Sequence, residues 1–329
     1  MLVYFDTVRR KRPVKNAGEL IQLDWTTKNI LKTVPIFPFD PDIDDDPNPR
    51  GNSRGGKGIV ISGSEILVGT YHSIMIFDGD LNYKQKITNN LFVNIHEMCV
   101  EGENVWVSST AIDAALLVDR QGATLKSWWS REEPLLRDRY DLQPMIINKN
   151  EDNRLVHLHA EVSTQQYHTH LNSVFKSGLD TYVLLNKQGV IVQIEPEVKL
   201  FFEDPLIKGG HSPAISKDGT KLFLCSSFRR SILMYDFRKK ALIKEINLSN
   251  DPQIAGLYRS YPDEPFNQSL FVRGLQVIDE RRILAGISPA SLIEIDFHSG
   301  NLLDCYRYSE DVGDAVHGLV CMPKDSTLL

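Results

Sequence analysis

An apolar residue followed by Asp closes a short alternating strand five times along this 329-residue chain: Leu23-Asp24, Phe77-Asp78, Val118-Asp119, Tyr235-Asp236 and Ile295-Asp296. A turn and a further strand follow each one, and an Asp carboxylate closes such a turn by accepting from backbone N–H groups two residues on. Counting back from four of them reaches a polar residue that opens an apolar strand. These openers are Lys57 in GKGIVI, His96 in IHEMCV, His211 in GHSPAIS and Arg273 in VRGLQVI, at separations of 21, 23, 25 and 23 residues. Helical periodicity is almost absent, so the unit that repeats is a four-stranded blade.

A further copy starts at His170 in THLNSVF and runs to VIVQIE, where Glu195 stands near the position of the missing Asp. Another starts at His317 in VHGLVCMP, and its three remaining strands lie at the other end of the chain, in LVYFDTV, GELIQLD and ILKTVPI. One C-terminal strand with three N-terminal strands completes a blade and leaves no open sheet edge. The expected fold is therefore an all-β, six-bladed β-propeller forming one domain over residues 1–329.

The innermost strands start 39, 74, 41, 62 and 44 residues apart. The excess places insertions at about 37–56, 130–168 and 249–271, each between the last strand of one blade and the first of the next. All three are expected on the face where the innermost strands begin, and long loops on a rigid scaffold commonly carry function.

In a propeller the openers of the first strands converge on one axis. Here they are Lys57, His96, His170, His211, Arg273 and His317, so four of the nine histidines share one location. Imidazole is the commonest protein ligand for transition metals, and the ring contains neither Cys nor carboxylate. His96, His170, His211 and His317 are accordingly read as ligands of a divalent transition metal, zinc or iron, in a lyase, hydrolase or oxygenase type of site. Lys57 and Arg273 beside them point to a small anionic substrate, with Arg273 able to clamp an oxyanion through two parallel bonds. Two alternatives are metal-free transfer of a group through an axial histidine, and a non-enzymatic propeller that binds a protein on its loop face. Tyr71 and Arg229, on loops opening to the same side, and Asn172, which alternates with His170, are further candidates for contact with substrate or for support of the cluster. His157 and His159, and the acidic run Asp42, Asp44, Asp46, are weaker: the first pair lacks a third ligand, and Pro47 stands where a calcium loop needs glycine.

Composition excludes several classes. Forty-three acidic against thirty-seven basic residues give a formal charge of −6, which offers no basic excess to follow a phosphate backbone, so no nucleic-acid partner is expected. No apolar run reaches bilayer length, and MLVYFDTVRRKRPV puts its apolar stretch before its basic one, the reverse of a secretory signal; a cytoplasmic protein without a membrane partner is expected. Cys99, Cys225, Cys305 and Cys321 show no CxxC spacing and read as small hydrophobes.

Two families share features with these segments. YHTHLNSV, with the Gly-Leu-Asp turn and YVLLN that follow it, resembles the blades of arylsulfate sulfotransferases, six-bladed propellers that carry a sulfuryl group on a histidine near the axis. That resemblance implies one of His170, His211 or His317 as acceptor and Arg273 as anion holder. IHEMCVEGENVWVSS looks like a blade of NHL-type propellers, among which peptidyl-hydroxyglycine lyases hold zinc with three axial histidines beside an arginine. This second resemblance implies three of His96, His170, His211 and His317 as ligands.

Overall fold

The computed structural model describes residues 1–9, 18–37, 55–154, 168–259, 271–311 and 313–324. The chain opens with β1 (Leu2–Arg9), β2 (Glu19–Asp24) and β3 (Asn29–Pro35). Five blades of four antiparallel strands follow. The first is β4 (Gly58–Ser62), β5 (Glu65–Gly69), β6 (Ser73–Asp78) and β7 (Tyr83–Thr88); the second is β8 (Ile95–Glu101), β9 (Asn104–Ser109), β10 (Ala114–Val118) and β11 (Thr124–Trp129). The third is β12 (Leu171–Ser177), β13 (Asp180–Leu185), β14 (Val190–Glu195) and β15 (Lys199–Glu203). The fourth is β16 (Gly210–Ile215), β17 (Lys221–Ser226), β18 (Ser231–Asp236) and β19 (Ala241–Asn247), and the fifth is β20 (Arg273–Val277), β21 (Arg282–Ile287), β22 (Ser291–Asp296) and β23 (Leu302–Arg307). The last strand, β24 (Asp314–Met322), pairs with β1 to give a sixth sheet in the order β24-β1-β2-β3. The fold is the six-bladed β-propeller expected from the repeat.

The Asp rule holds in atomic detail. Oδ1 of Asp24, Asp78, Asp119, Asp236 and Asp296 accepts from the backbone N–H two residues on, at 3.0, 3.0, 2.9, 3.1 and 2.9 Å. Glu195 instead accepts from the Thr181 hydroxyl at 2.8 Å and pairs with Lys126, because its longer side chain reaches past its own turn.

Among the described residues six apolar clusters fill the spaces between neighbouring blades, one per interface. Strand alternation makes this possible, since successive side chains leave a strand on opposite faces. Val105 and Val107 of β9 pack toward the first blade while Trp106 between them packs toward the third. Leu222 and Leu224 of β17 likewise face one neighbour, and Phe223 and Cys225 the other. The sixth blade joins both sides of the ring: Val3, Phe5 and Ile21 meet Leu284 and Leu292, while Tyr4 and Leu20 meet Ile59, Ile66 and Met75.

Two long connections carry short helices, α1 (Pro134–Tyr140) before β12 and α2 (Pro252–Arg259) before β20. Leu136 and Ile254 anchor them in the interfaces below. His157, His159, Asp42, Asp44 and Asp46 lie outside the described residues. Among the described residues no helix is long and apolar enough to cross a membrane.

Deleting residues 1–36 removes β1, β2 and β3, leaves β24 unpaired, and opens two interfaces at once. The expected outcome is loss of the cooperative melting transition and association through the exposed strand, read by circular dichroism and light scattering. A monomer with an unchanged melt contradicts closure by the two termini.

Candidate functional site

The innermost strands are irregular where the axial residues sit. Register shifts fall between Ile95 and Met98, Leu171 and Ser173, His211 and Ala214, and Arg273 and Leu275, and between Phe5 and Thr7 where β1 faces His317 and Gly318 of β24. Only β4 pairs without a shift. A bulge releases one residue from the ladder and re-aims its side chain, so five blades each spend a bulge on the same level of the axis. The openers share this level and not one strict register: Lys57 precedes β4 and His170 precedes β12, whereas His96, His211, Arg273 and His317 lie inside their strands.

Four imidazoles meet there. The His96 ring is the hub, with centroids 5.4 Å from His170, 5.6 Å from His317 and 6.4 Å from His211. A fifth, His168, stands 5.3 Å from His170; it was missed as an axial residue because it lies two positions before the opener. Its Nε2–H donates to the Thr110 carbonyl at 2.7 Å and lies 3.3 Å from Asp113, whose carboxylate also takes the Thr169 N–H and hydroxyl.

Hydrogen bonding assigns the ring protons. His96 Nδ1 faces the Asn94 carbonyl at 3.2 Å and must donate, which leaves the lone pair on Nε2. Arg273 donates from a terminal nitrogen to His317 Nε2 at 2.8 Å, so that nitrogen carries a lone pair too. Asn172 donates to the Gly210 carbonyl at 2.9 Å and to His211 Nδ1 at 2.5 Å. Asn172 is therefore a supporting partner of His211, and its tie to His170 is only that they share a strand opening.

Both cations rest on aromatic rings. Lys57 donates to the Asn94 side chain, with its ammonium 5.3 Å from the Tyr71 ring centre, and the Arg273 guanidinium lies 3.9 Å from the ring of Phe271. Tyr71 is buried and joins the site through Lys57. Arg229 does not join it: its guanidinium makes a two-pronged pair with Glu245 on the outermost strand β19, at 2.9 and 2.9 Å. An adjacent carboxylate at the blade rim outcompetes the distant axis for that side chain.

Burial holds His96, His170, His211 and His317 neutral, well below the usual imidazole range, and the charges of Arg273 and Lys57 push in the same direction. The metal expectation meets a geometric obstacle. Ligation needs lone pairs from several rings aimed at one point, yet that of His317 is taken by Arg273, that of His211 Nδ1 by Asn172, and His96 and His211 lie parallel, 9° between planes. Among the described residues no group of three or more His, Cys, Asp or Glu side chains is placed to hold a metal ion. The residues present do not fit zinc or iron.

Beneath the cluster a buried and a half-buried carboxyl run the other way. Asp6 of β1 accepts from the Gly318 N–H at 2.8 Å, and burial raises its carboxyl to about 8; Glu97 is also raised by burial. A cavity of about 400 Å³ continues down the channel from Lys57, Glu97, Ser212, Gly274 and Gly318 between the innermost strands, away from the face where they begin.

No protein-family model matches this sequence, and no curated protein matches it. Solved structures do. A protein of unknown function from Bacteroides caccae superposes with a TM-score of 0.56 at 12% identity, covering 96% of this chain and 98% of its own. A chain of a nidogen/laminin complex gives 0.56 at 7% identity over 96% and 97%. A putative 6-phosphogluconolactonase from Bacteroides uniformis gives 0.50 at 10% identity over 91% and 81%. Likeness at such identities is likeness of fold.

The buried groups predict the pH profile of stability. Below pH 6.5 the unfolded chain takes up protons that the buried rings refuse, so stability rises with pH through that window. Asp6 keeps a proton up to about 8 that the unfolded chain loses near 3.8, so its contribution falls as pH rises between those values. Five depressed histidines, counting His168, outweigh two raised carboxyls in acid and lose that advantage near neutrality. The melting temperature should peak between about pH 6.5 and 7. Asp6→Asn should flatten the alkaline limb, and an unchanged limb contradicts the buried acid.

Proposed function

We propose that the protein is an enzyme acting on a small anionic molecule bound at the axial cluster, with Arg273 and Lys57 holding the anion and a neutral imidazole serving as base or group acceptor. The observation that carries this reading is the convergence of a guanidinium, an ammonium and four neutral imidazoles at one buried level of the channel. Two fixed positive charges in a low-dielectric site favour a carboxylate, sulfate or phosphate group. His96 is the favoured working imidazole. It is central, its Nδ1–H is committed to the Asn94 carbonyl, and its Nε2 lone pair stays available to a proton or an electrophilic group.

Binding and protonation are coupled in this arrangement. An anion set between Arg273 and Lys57 offsets the charges that keep the rings neutral, so the rings gain proton affinity when the anion arrives. The finer resemblances divide on this chemistry. The sulfotransferase resemblance read in the sequence implies a metal-free axial histidine and an anion holder, and the residues here can fill both roles. The lyase comparison calls for a zinc set that the ring arrangement does not provide. The fold by itself favours neither an enzyme nor a binding platform, since its neighbours include a lactonase by name and a chain from a nidogen/laminin complex.

Calorimetric titration of sulfate, phosphate and small carboxylates tests the proposal. Arg273→Lys should weaken the best anion roughly tenfold to a hundredfold, because a lysine cannot reproduce paired guanidinium bonds worth about 1.5 to 3 kcal/mol. Titration near pH 6 in buffers of different ionisation enthalpy should show net proton uptake. A chelator should leave the affinity unchanged. Equal affinity in parent and variant, or stoichiometric metal with affinity lost on its removal, overturns the reading.

A further inference from the structure

One residue beyond each of three axial openers, a separate set of hydrogen bonds crosses the channel. Glu97 follows His96, Ser212 follows His211, and Gly274 follows Arg273. Oε1 of Glu97 accepts from both the Ser212 N–H and the Ser212 hydroxyl, each at 2.8 Å, and the same hydroxyl oxygen accepts from the Gly274 N–H at 2.8 Å. The chain of bonds thus links the second, fourth and fifth blades, the first two of which are not neighbours in the ring.

Local geometry is shaped around these bonds. Ser212 takes a left-handed backbone (φ 51°), a conformation that a non-glycine residue adopts at a cost, and here its N–H is directed at the carboxylate of a distant blade. Gly274 is also left-handed (φ 72°), and a Cβ there would stand 3.0 Å from the His317 carbonyl. The bulge at Glu97 is held by Ser108, whose hydroxyl accepts from the Glu97 N–H at 2.8 Å and faces its carbonyl at 2.9 Å. Opposite, Gly58 brings the first blade against the same bulge, where a Cβ would lie 2.8 Å from the His96 carbonyl. The Glu97–Ser212 bonds join blades that are not neighbours, a role the apolar clusters between adjacent blades do not fill.

We propose that Glu97 and Ser212 are positioning residues, a clamp across the channel that fixes His211 and Arg273 in relation to His96 and so sets the spacing of the anion site. The clamp rests on the reading of the axial cluster as the functional site. The cavity that continues past it, lined by Ile59, Leu275 and Leu319, also reaches Lys57 and His317 of the cluster. Side chains bonded across the channel to the backbone N–H groups of another blade keep their neighbours within the few tenths of an ångström that a paired anion contact tolerates.

The test compares Glu97→Gln, which keeps an oxygen acceptor for both Ser212 donors, with Glu97→Ala, which removes it. Nitrogen-edited spectra of the histidine rings and of the Arg273 side chain at fixed pH report the geometry, and sulfate and phosphate titrations report the site. Glu97→Ala should displace the His211 and Arg273 resonances and weaken the anion by about tenfold, and Glu97→Gln should restore both. Ser212→Gly, which suits the left-handed backbone and deletes only the hydroxyl, should displace Arg273 more than His211 and serves if the alanine variant does not fold. Unchanged resonances in Glu97→Ala or Ser212→Gly, or equal displacement by the Gln and Ala variants, overturn the clamp. If neither anion binds even the parent protein, the anion reading fails while the resonances still decide the clamp.

Discussion

Antiparallel pairing of β1 with β24, from Leu2 against Met322 to Arg9 against Asp314, turns a row of sheets into a ring. Without it the sixth sheet loses three strands and two of the six apolar interfaces lose a wall. The whole core depends on this joint because each blade buries both of its faces and has no core of its own. The axis depends on it as well: Asp6, on the joining strand, bonds the N–H of Gly318 next to His317.

The ring brings six strand starts to one place, and the bulges decide what they do there. A regular strand would send alternate side chains into the blade interfaces, where apolar residues belong. The shifted register frees polar residues to face the channel while the next residue bonds across it. Gly58, Gly274 and Gly318 are required at this level because the innermost backbones approach too closely for a Cβ. The outcome is a layered axis: cations on aromatic rings, neutral imidazoles among them, and carboxyl-based bonds below.

Electrostatics at the axis follows from burial more than from pairing. Imidazoles lose their charge and the Asp6 carboxyl keeps its proton for the same reason, since a low-dielectric channel disfavours ionised groups of either sign. Arginine and lysine resist because their ordinary values lie so far above neutrality. The cluster is therefore positive without any charge on its histidines, which is the condition for an anion to bind and then to alter ring protonation.

The repeat of apolar residue plus Asp, with its spacing, was enough to determine the blades, their number and the joining of the two termini, because turn chemistry and strand alternation are local rules written in neighbouring residues. The same spacing located Lys57, His96, His170, His211, Arg273 and His317 on one axis. It was silent on direction. Whether an imidazole lone pair meets a metal, Arg273 or Asn172 depends on ring orientations set by bulges, and a bulge reflects pairing between strands that the linear pattern does not encode. Arg229 shows the same limit, since Glu245 becomes its neighbour only once β18 and β19 pair. Glu97, Ser212 and Asp6 carried little signal for a similar reason. The partners of Glu97 and Ser212 stand on other blades and that of Asp6 on a strand from the far end of the chain, and only closure of the ring, which packs six sheets around a narrow channel, brings them within bonding distance.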